Sequence, residues 1–139
     1  MKLISTIAIL VLSLAAHADI PLGVFKGTDS SGKECQVEVV KIFFANNQHH
    51  PLNERAEILF GGETWTLAHP AVISESNSKV RFDHNFLQQI QPTNSGAKVL
   101  ILKIDHNSEP HGPVELVIID DNFRNAAATT KFVCSGLKQ

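Results

Sequence analysis

The segment KVLILKIDHNSEPHGPVELVIID, residues 98–120, contains two strongly apolar stretches separated by a polar loop. Lys98–His106 and Pro113–Asp120 are each apolar on both alternating faces, which is typical of strands at the centre of a sheet. The residues between them include Pro110 and Gly112, so the pattern predicts a hairpin connection. This segment therefore predicts an antiparallel pair in the middle of a β-sheet.

Stretches before this segment show the two-residue alternation of half-buried strands. The segment Cys35–Val39 alternates apolar and polar residues, and the apolar phase changes between Val39 and Val40, which predicts a β-bulge. Turn-forming residues at Asp29–Gly32 and at Gly61-Gly62 predict two hairpins.

About eight strands are predicted in total, joined by short turns and without a long helix. One segment, Asn85–Gln91, fits either a short helical turn or an irregular strand. The pattern excludes parallel α/β folds, which need crossover helices. We expect an all-β domain folded as a small antiparallel β-barrel of about eight strands, with a two-sheet β-sandwich as the alternative.

The first 18 residues have the features of a secretory signal peptide. Lys2 precedes the apolar run Leu3–Leu14, and the small residues of AAHA, residues 15–18, offer a cleavage site. The run is shorter than the about 20 apolar residues that a membrane-spanning helix needs. We therefore expect residues 1–18 to be removed and residues 19–139 to form one domain, secreted or periplasmic, without a transmembrane segment.

Charge composition argues against one class of partner. The chain has 12 Lys and Arg against 14 Asp and Glu, a formal net charge of −2 at pH 7. Domains that bind nucleic acid usually carry a strongly basic surface. We therefore expect no nucleic-acid partner.

The chain has two cysteines, Cys35 and Cys134. Exported proteins meet an oxidising environment, and this pair lacks the CxxC spacing of redox motifs, so the sequence predicts a structural disulfide. Closing a loop of about 100 residues lowers the entropy of the unfolded chain, which stabilises the folded state by up to about 4.7 kcal/mol. Because disulfide-linked Cα atoms lie within about 7 Å, we expect the bridge to tie the first strand of the domain to the last.

The aromatic residues lead to a cavity hypothesis. The chain has eight Phe, one Trp and no Tyr, so its aromatic surface offers few polar groups. A barrel of about eight strands either fills its interior with side chains or leaves room for one small molecule. The candidates for lining such a cavity are five phenylalanines: Phe25, Phe44, Phe60, Phe82 and Phe132.

The histidine-containing loop leads to a metal hypothesis. His106, Glu109 and His111 lie in one predicted loop, and imidazole together with carboxylate oxygen can bind zinc or copper. The chain lacks the HExxH and CxxC patterns of common zinc sites. These three residues are the candidate metal ligands, and solvated loop side chains are the alternative interpretation.

Motifs for catalysis and for cofactor binding are missing from the sequence. It has no Gly-x-Ser-x-Gly nucleophile motif and no phosphate-binding glycine loop, so we predict no catalytic residue and no cofactor. We expect a non-enzymatic exported domain that binds a small apolar ligand or an envelope or extracellular partner. The alternatives are a protein-interaction module or inhibitor of a secreted or envelope hydrolase, and a metal-binding protein or enzyme.

Overall fold

Ten β-strands make up most of the part of the chain that the computed structural model describes, residues 20–48, 53–73, 80–82, 85–107, 112–122 and 127–139. A 3₁₀ turn, Ala45–Asn47, follows the second strand. The predicted signal peptide lies outside the described residues. The strands are β1 (Gly23–Asp29), β2 (Glu34–Phe44), β3 (Glu54–Phe60), β4 (Glu63–Ala68), β5 (Ala71–Ile73), β6 (Val80–Phe82), β7 (Phe86–Pro92), β8 (Gly96–Asp105), β9 (Gly112–Asn122) and β10 (Ala127–Lys138).

Eight of these strands close into an antiparallel barrel, as the sequence predicts. Around the barrel the order is β1-β10-β9-β8-β7-β4-β3-β2. The strands β5 and β6 pair with each other in a separate two-stranded sheet, which the chain forms between β4 and β7. The described fold is therefore an all-β closed barrel and not a sandwich.

The two hairpins predicted from turn-forming residues are confirmed. At the β1–β2 turn, the pKa of Asp29 is lowered chiefly because the Ser31 hydroxyl donates a 2.7 Å hydrogen bond to its carboxylate. The backbone N–H of Lys33 donates to the same carboxylate at 3.0 Å. At the β3–β4 turn, Gly61 and Gly62 have φ of +62° and +78°, a left-handed backbone that favours glycine and matches the twist of a hairpin.

The predicted bulge in β2 is also confirmed. The pairing of β2 with β3 skips Val40, because Val39 and Lys41 oppose consecutive residues of β3. Val40 is 41% exposed, whereas Val39 before the bulge and Ile42 after it belong to or pack against the core. One extra residue thus lets β2 present apolar side chains to the interior on both sides of its bend.

Close-packed side chains fill the barrel interior. On the central strands, Leu100 and Leu102 of β8 lie beside Leu116 of β9 inside the barrel, while Ile101 and Val117 lie on the outer face. Both strands are therefore apolar on both faces, as predicted. The largest side chains that are less than 2% exposed are Trp65, Ile58, Leu67, Leu87, Leu100, Leu102, Leu116, Val37, Val39 and Cys134.

The disulfide is present, but the strands that it joins differ from the expectation. Cys35 lies on β2 and Cys134 on β10, with Cα atoms 6.0 Å apart. The first strand, β1, lies between them and is hydrogen-bonded to both, so backbone pairing joins the first and last strands. Gly27 of β1 pairs with Cys35, and a Cβ at Gly27 would overlap the carbonyl oxygen of Ser135 on β10. The missing side chain therefore permits the close approach that brings β2 and β10 within disulfide distance.

The contact between β4 and β7, which we call the β4–β7 seam, has a short backbone ladder. Ala68 and Gln88 form its one registered pair. A side chain supplements the ladder, because the backbone N–H of Thr66 donates to Oε1 of Gln89 at 2.7 Å. On the other side of β7, the segment that the sequence left open between helix and strand, Asn85–Gln91, pairs regularly with β8.

Candidate functional site

One end of the barrel carries the turns that join β1 to β2, β3 to β4 and β7 to β8, with the end of β9 and the start of β10; we call it the hairpin end. At this end, Lys98 of β8, Asp120 of β9 and Thr129 of β10 lie side by side in register. Lys98 is on the inner face, because residues two apart in a strand share a face and the next two on this face, Leu100 and Leu102, are buried. A polar row therefore borders the apolar core here.

Trp65 of β4 lies inside the barrel and is 1% exposed. Its indole Nε1–H is buried and has no acceptor among the described residues. Leaving a buried donor unpaired costs about 1–3 kcal/mol, and most buried polar groups in proteins are paired. The donor is therefore a position at which an acceptor from outside the chain would be stabilised.

Lys98 lies over the ring of Trp65. Its Nζ is 5.0 Å from the ring centroid, within the range of a cation–π interaction. Among the described residues, no carboxylate lies within salt-bridge distance of this ammonium. The carboxylate of Asp120, in the same row, is instead 3.8 Å from Nζ of Lys131. The interior thus presents a cation and an N–H donor together, without an anion of its own to neutralise them.

Two phenylalanines form the apolar part of the hairpin end. The rings of Phe60, at the end of β3, and Phe132, on β10, have centroids 5.3 Å apart at an angle of 45°. Both side chains are half-buried and pack against the core. They provide an apolar surface that solvent reaches in part.

A pocket of about 400 Å³ opens beside the polar row at the same end. Its volume lies within the range of small-molecule sites, about 300–1,000 Å³. Its lining is mainly polar: Thr93, Ser95, Ala97, Asp120, Asp121, Asn122, Thr129 and Lys131.

The five phenylalanines predicted to line a cavity are divided over the barrel. Phe60 and Phe132 meet at the hairpin end, while Phe25 is 4% exposed within the core. Phe44, at the far end of β2, pairs with the start of β3 and so lies towards the opposite end of the barrel. Phe82 belongs to β6, and its side chain lies outside the described residues. The structure therefore brings two of the five candidates together.

The predicted metal ligands are described only in part. His106 follows β8, whereas Glu109 and His111 lie outside the described residues. Among the residues that the structure describes, no cluster of three or more histidine, cysteine or acidic side chains has the geometry to hold a metal ion. The metal hypothesis for this loop stays a prediction.

A buried polar contact that the sequence analysis missed lies at the opposite end of the barrel. The side chain of His69 is 3% exposed, with Nδ1 3.1 Å from the carbonyl oxygen of Phe86 and Nε2 3.1 Å from Oε2 of Glu54. Because a carbonyl oxygen only accepts hydrogen bonds, Nδ1 carries a proton in this contact. The pair links β3 to the β4–β7 seam, which is a structural role.

The outer face of the barrel is apolar over several adjacent strands. Ile90 on β7 is 56% exposed, and it borders a band of aliphatic side chains. The pKa of Glu115, beside this band, is lowered mainly because the ammonium of Lys103 donates a hydrogen bond to it. The other members of the band are less exposed than Ile90: Val117 is 8% exposed, and the half-buried members are Val99, Ile101, Ile119 and Val133.

Fold and site together define a disulfide-linked, eight-stranded β-barrel. At one end of it, among the described residues, a buried N–H donor lacks an acceptor and a lysine ammonium lacks a carboxylate partner. The chain matches no known family profile, no curated protein and no solved structure. Within the described ranges, no helix has the length and apolar character needed to cross a membrane.

The two central residues of this site carried a signal in the sequence. Lys98 shares a face with Leu100 and Leu102, but both faces of this strand are apolar, so the sequence alone does not show which face lies inside. Trp65 shares a face with Leu67 by the same two-residue alternation. Their contact was not predictable, because it depends on the register of β4 with β7 and of β7 with β8.

Proposed function

We propose that this protein is an exported, non-enzymatic β-barrel that binds a small, mainly apolar molecule at its hairpin end. The observation that carries the proposal is the buried indole Nε1–H of Trp65, which has no acceptor among the described residues. A bound molecule with an acceptor atom would satisfy this donor and recover the cost of its burial.

The surroundings of Trp65 support a ligand at the hairpin end of the barrel. Phe60 and Phe132 offer apolar contact there, and the adjoining pocket of about 400 Å³ gives space beside the polar row. Leucine, valine and isoleucine side chains fill the interior farther down. The signal peptide predicted for residues 1–18 supports export, and the Cys35–Cys134 disulfide is compatible with an oxidising compartment.

Native mass spectrometry of the protein purified after export tests this function. We expect a small additional mass, either retained from the source or gained on adding octanoate, that disappears when the protein is denatured. The Trp65→Phe variant should lose most of this mass, because it keeps an aromatic ring but removes the N–H donor. The matched control is Ile90→Lys, which changes a 56% exposed side chain on the outer face and should retain the mass.

One result would reject the proposal. If wild-type protein shows no additional mass as purified, and gains none with either octanoate or 1-octanol, the hairpin end is not a site for small apolar molecules.

A second candidate function is binding of another exported protein, which includes inhibition of a secreted or envelope hydrolase. The apolar band next to Ile90 favours it, because contiguous apolar outer surface often marks a protein contact. The same native spectra test it. A protein partner that Ile90→Lys displaces and Trp65→Phe retains supports this candidate, and a partner that neither variant displaces contradicts it.

A further inference from the structure

Resting on the ligand site proposed above, we infer that the molecule bound at the hairpin end carries a carboxylate, which the ammonium of Lys98 and the indole Nε1–H of Trp65 bind together. The ligand class is thus an apolar chain or ring with a single carboxylic acid group.

The charges around Lys98 favour an anionic partner. Its ammonium lies on the inner side of the barrel, 5.0 Å from the Trp65 ring centroid, and no carboxylate of the described residues lies within salt-bridge distance. The nearest acidic residue in register is Asp120, whose carboxylate is close to Lys131 instead. A ligand anion would therefore be the partner of Lys98, while a ligand cation would be repelled.

The number of donors points to a carboxylate among anions. Lys98 supplies one positive charge, and Trp65 supplies one neutral N–H donor. A carboxylate has one negative charge and two oxygens, so each of the two groups can donate to it. A phosphate monoester carries a charge of about −1.5 to −2 near neutral pH, and the single lysine would leave part of that charge unneutralised.

The apolar part of the ligand follows from the neighbouring rings. Phe60 and Phe132 are half-buried at the same end of the barrel, with their ring centroids 5.3 Å apart. An aliphatic or aromatic body packed on these rings would be removed from water, while its carboxylate lies against Lys98 and Trp65. A purely polar acid of the same charge would bind this end of the barrel more weakly, because it buries less apolar surface.

The competing explanation is that Lys98 only covers the indole ring. A cation–π contact of this kind stabilises the fold modestly on its own. This explanation predicts that replacing Lys98 changes the stability of the fold but not its preference between ligands of different charge. Binding of probes that differ only in charge separates the two explanations.

The test uses three probes with the same chain length: octanoate, 1-octanol and octylammonium. The chain has one tryptophan, so the emission of Trp65 reports binding directly in the exported protein. We expect octanoate to bind roughly 10-fold or more tightly than 1-octanol, the effect of one charge-assisted hydrogen bond. Octylammonium should bind most weakly of the three.

Variants then assign the preference to Lys98. In Lys98→Met, octanoate and 1-octanol should bind within about twofold of each other, because the charge is lost and the aliphatic stem is kept. Lys98→Arg keeps the charge and should retain the preference, which guards against a loss that reflects misfolding. The matched control is Lys103→Met on the same strand, since Lys103 lies on the outer face beside Glu115 and should leave the preference unchanged.

The outcomes separate this inference from the function on which it rests. If 1-octanol or octylammonium binds wild type as tightly as octanoate, or if Lys98→Met keeps the preference for octanoate, the carboxylate assignment is overturned while the ligand site stands. If none of the three probes binds and the purified protein carries no additional mass, the proposed function itself fails.

Discussion

At the scale of single residues, Trp65 combines 1% exposure with an indole N–H that has no acceptor among the described residues, and this combination lowers the stability of the fold. Replacing Trp65 with phenylalanine reduces the packed volume and so lowers stability. It also removes a buried donor whose missing hydrogen bond costs about 1–3 kcal/mol in the wild type. We predict that Trp65→Phe changes the free energy of unfolding by less than about 1 kcal/mol, because the two effects oppose each other. Urea unfolding followed by circular dichroism measures this. A loss above about 3 kcal/mol, as for an ordinary large-to-small core change, would show that the indole N–H is not a liability.

His69 illustrates a polar residue that serves the fold. We predict that His69→Phe lowers the free energy of unfolding by about 3 kcal/mol, because it removes the imidazole that bridges Glu54 and the Phe86 carbonyl in a buried position. Glu54→Gln keeps an amide that can hydrogen-bond to Nε2 of His69 as donor or as acceptor, and should cost about 1 kcal/mol. Urea denaturation of both variants checks that His69→Phe loses more stability than Glu54→Gln. Equal midpoints for wild type and His69→Phe would mean that this contact does not hold β3 to the seam.

At the scale of elements, a side-chain hydrogen bond supports the β4–β7 seam, whereas longer backbone ladders join the other neighbouring strands of the barrel. Gln89 supplies the acceptor for the backbone N–H of Thr66. We predict that Gln89→Met speeds hydrogen exchange at the Thr66 amide by roughly 10-fold, since a bond of about 1 kcal/mol or more is lost. The matched control is Gln88→Met, the outward-facing neighbour, which should leave the Thr66 amide unchanged. Unchanged exchange in Gln89→Met would contradict this view of the seam.

The elements also show what the sequence predicts and where prediction stops. Alternation of apolar residues predicted the strands, and the phase change at Val39-Val40 predicted the bulge, because both follow from local backbone geometry. The segment Asn85–Gln91 was ambiguous because Phe86, Leu87 and Ile90 also have helical spacing, and pairing with β8 decides for a strand. The site was harder to predict from the sequence. Lys98 contacts Trp65 because of the order and register of β4, β7 and β8, and these are tertiary properties.

At the scale of the whole molecule, the disulfide fixes the closure of the barrel around β1. It closes a sequence separation of 99 residues, for which chain entropy gives a stabilisation of up to about 4.7 kcal/mol. We predict that the double variant Cys35→Ala with Cys134→Ala unfolds with a free energy about 3–5 kcal/mol lower than wild type. Denaturant unfolding of the oxidised wild type and the double variant measures the difference. A loss below about 1 kcal/mol would mean that the β1–β10 ladder closes the barrel without help.

We propose the hairpin end as the ligand-binding part of a barrel whose remaining interior is packed for stability. The most direct test of this claim is the NMR signal of the indole Nε1–H, which is a single resonance because the chain has one tryptophan. On saturation with octanoate, we predict that this proton shifts downfield and exchanges more slowly with water, as expected when it gains a carboxylate acceptor. An indole signal that stays unchanged while octanoate is at saturating concentration would contradict the claim.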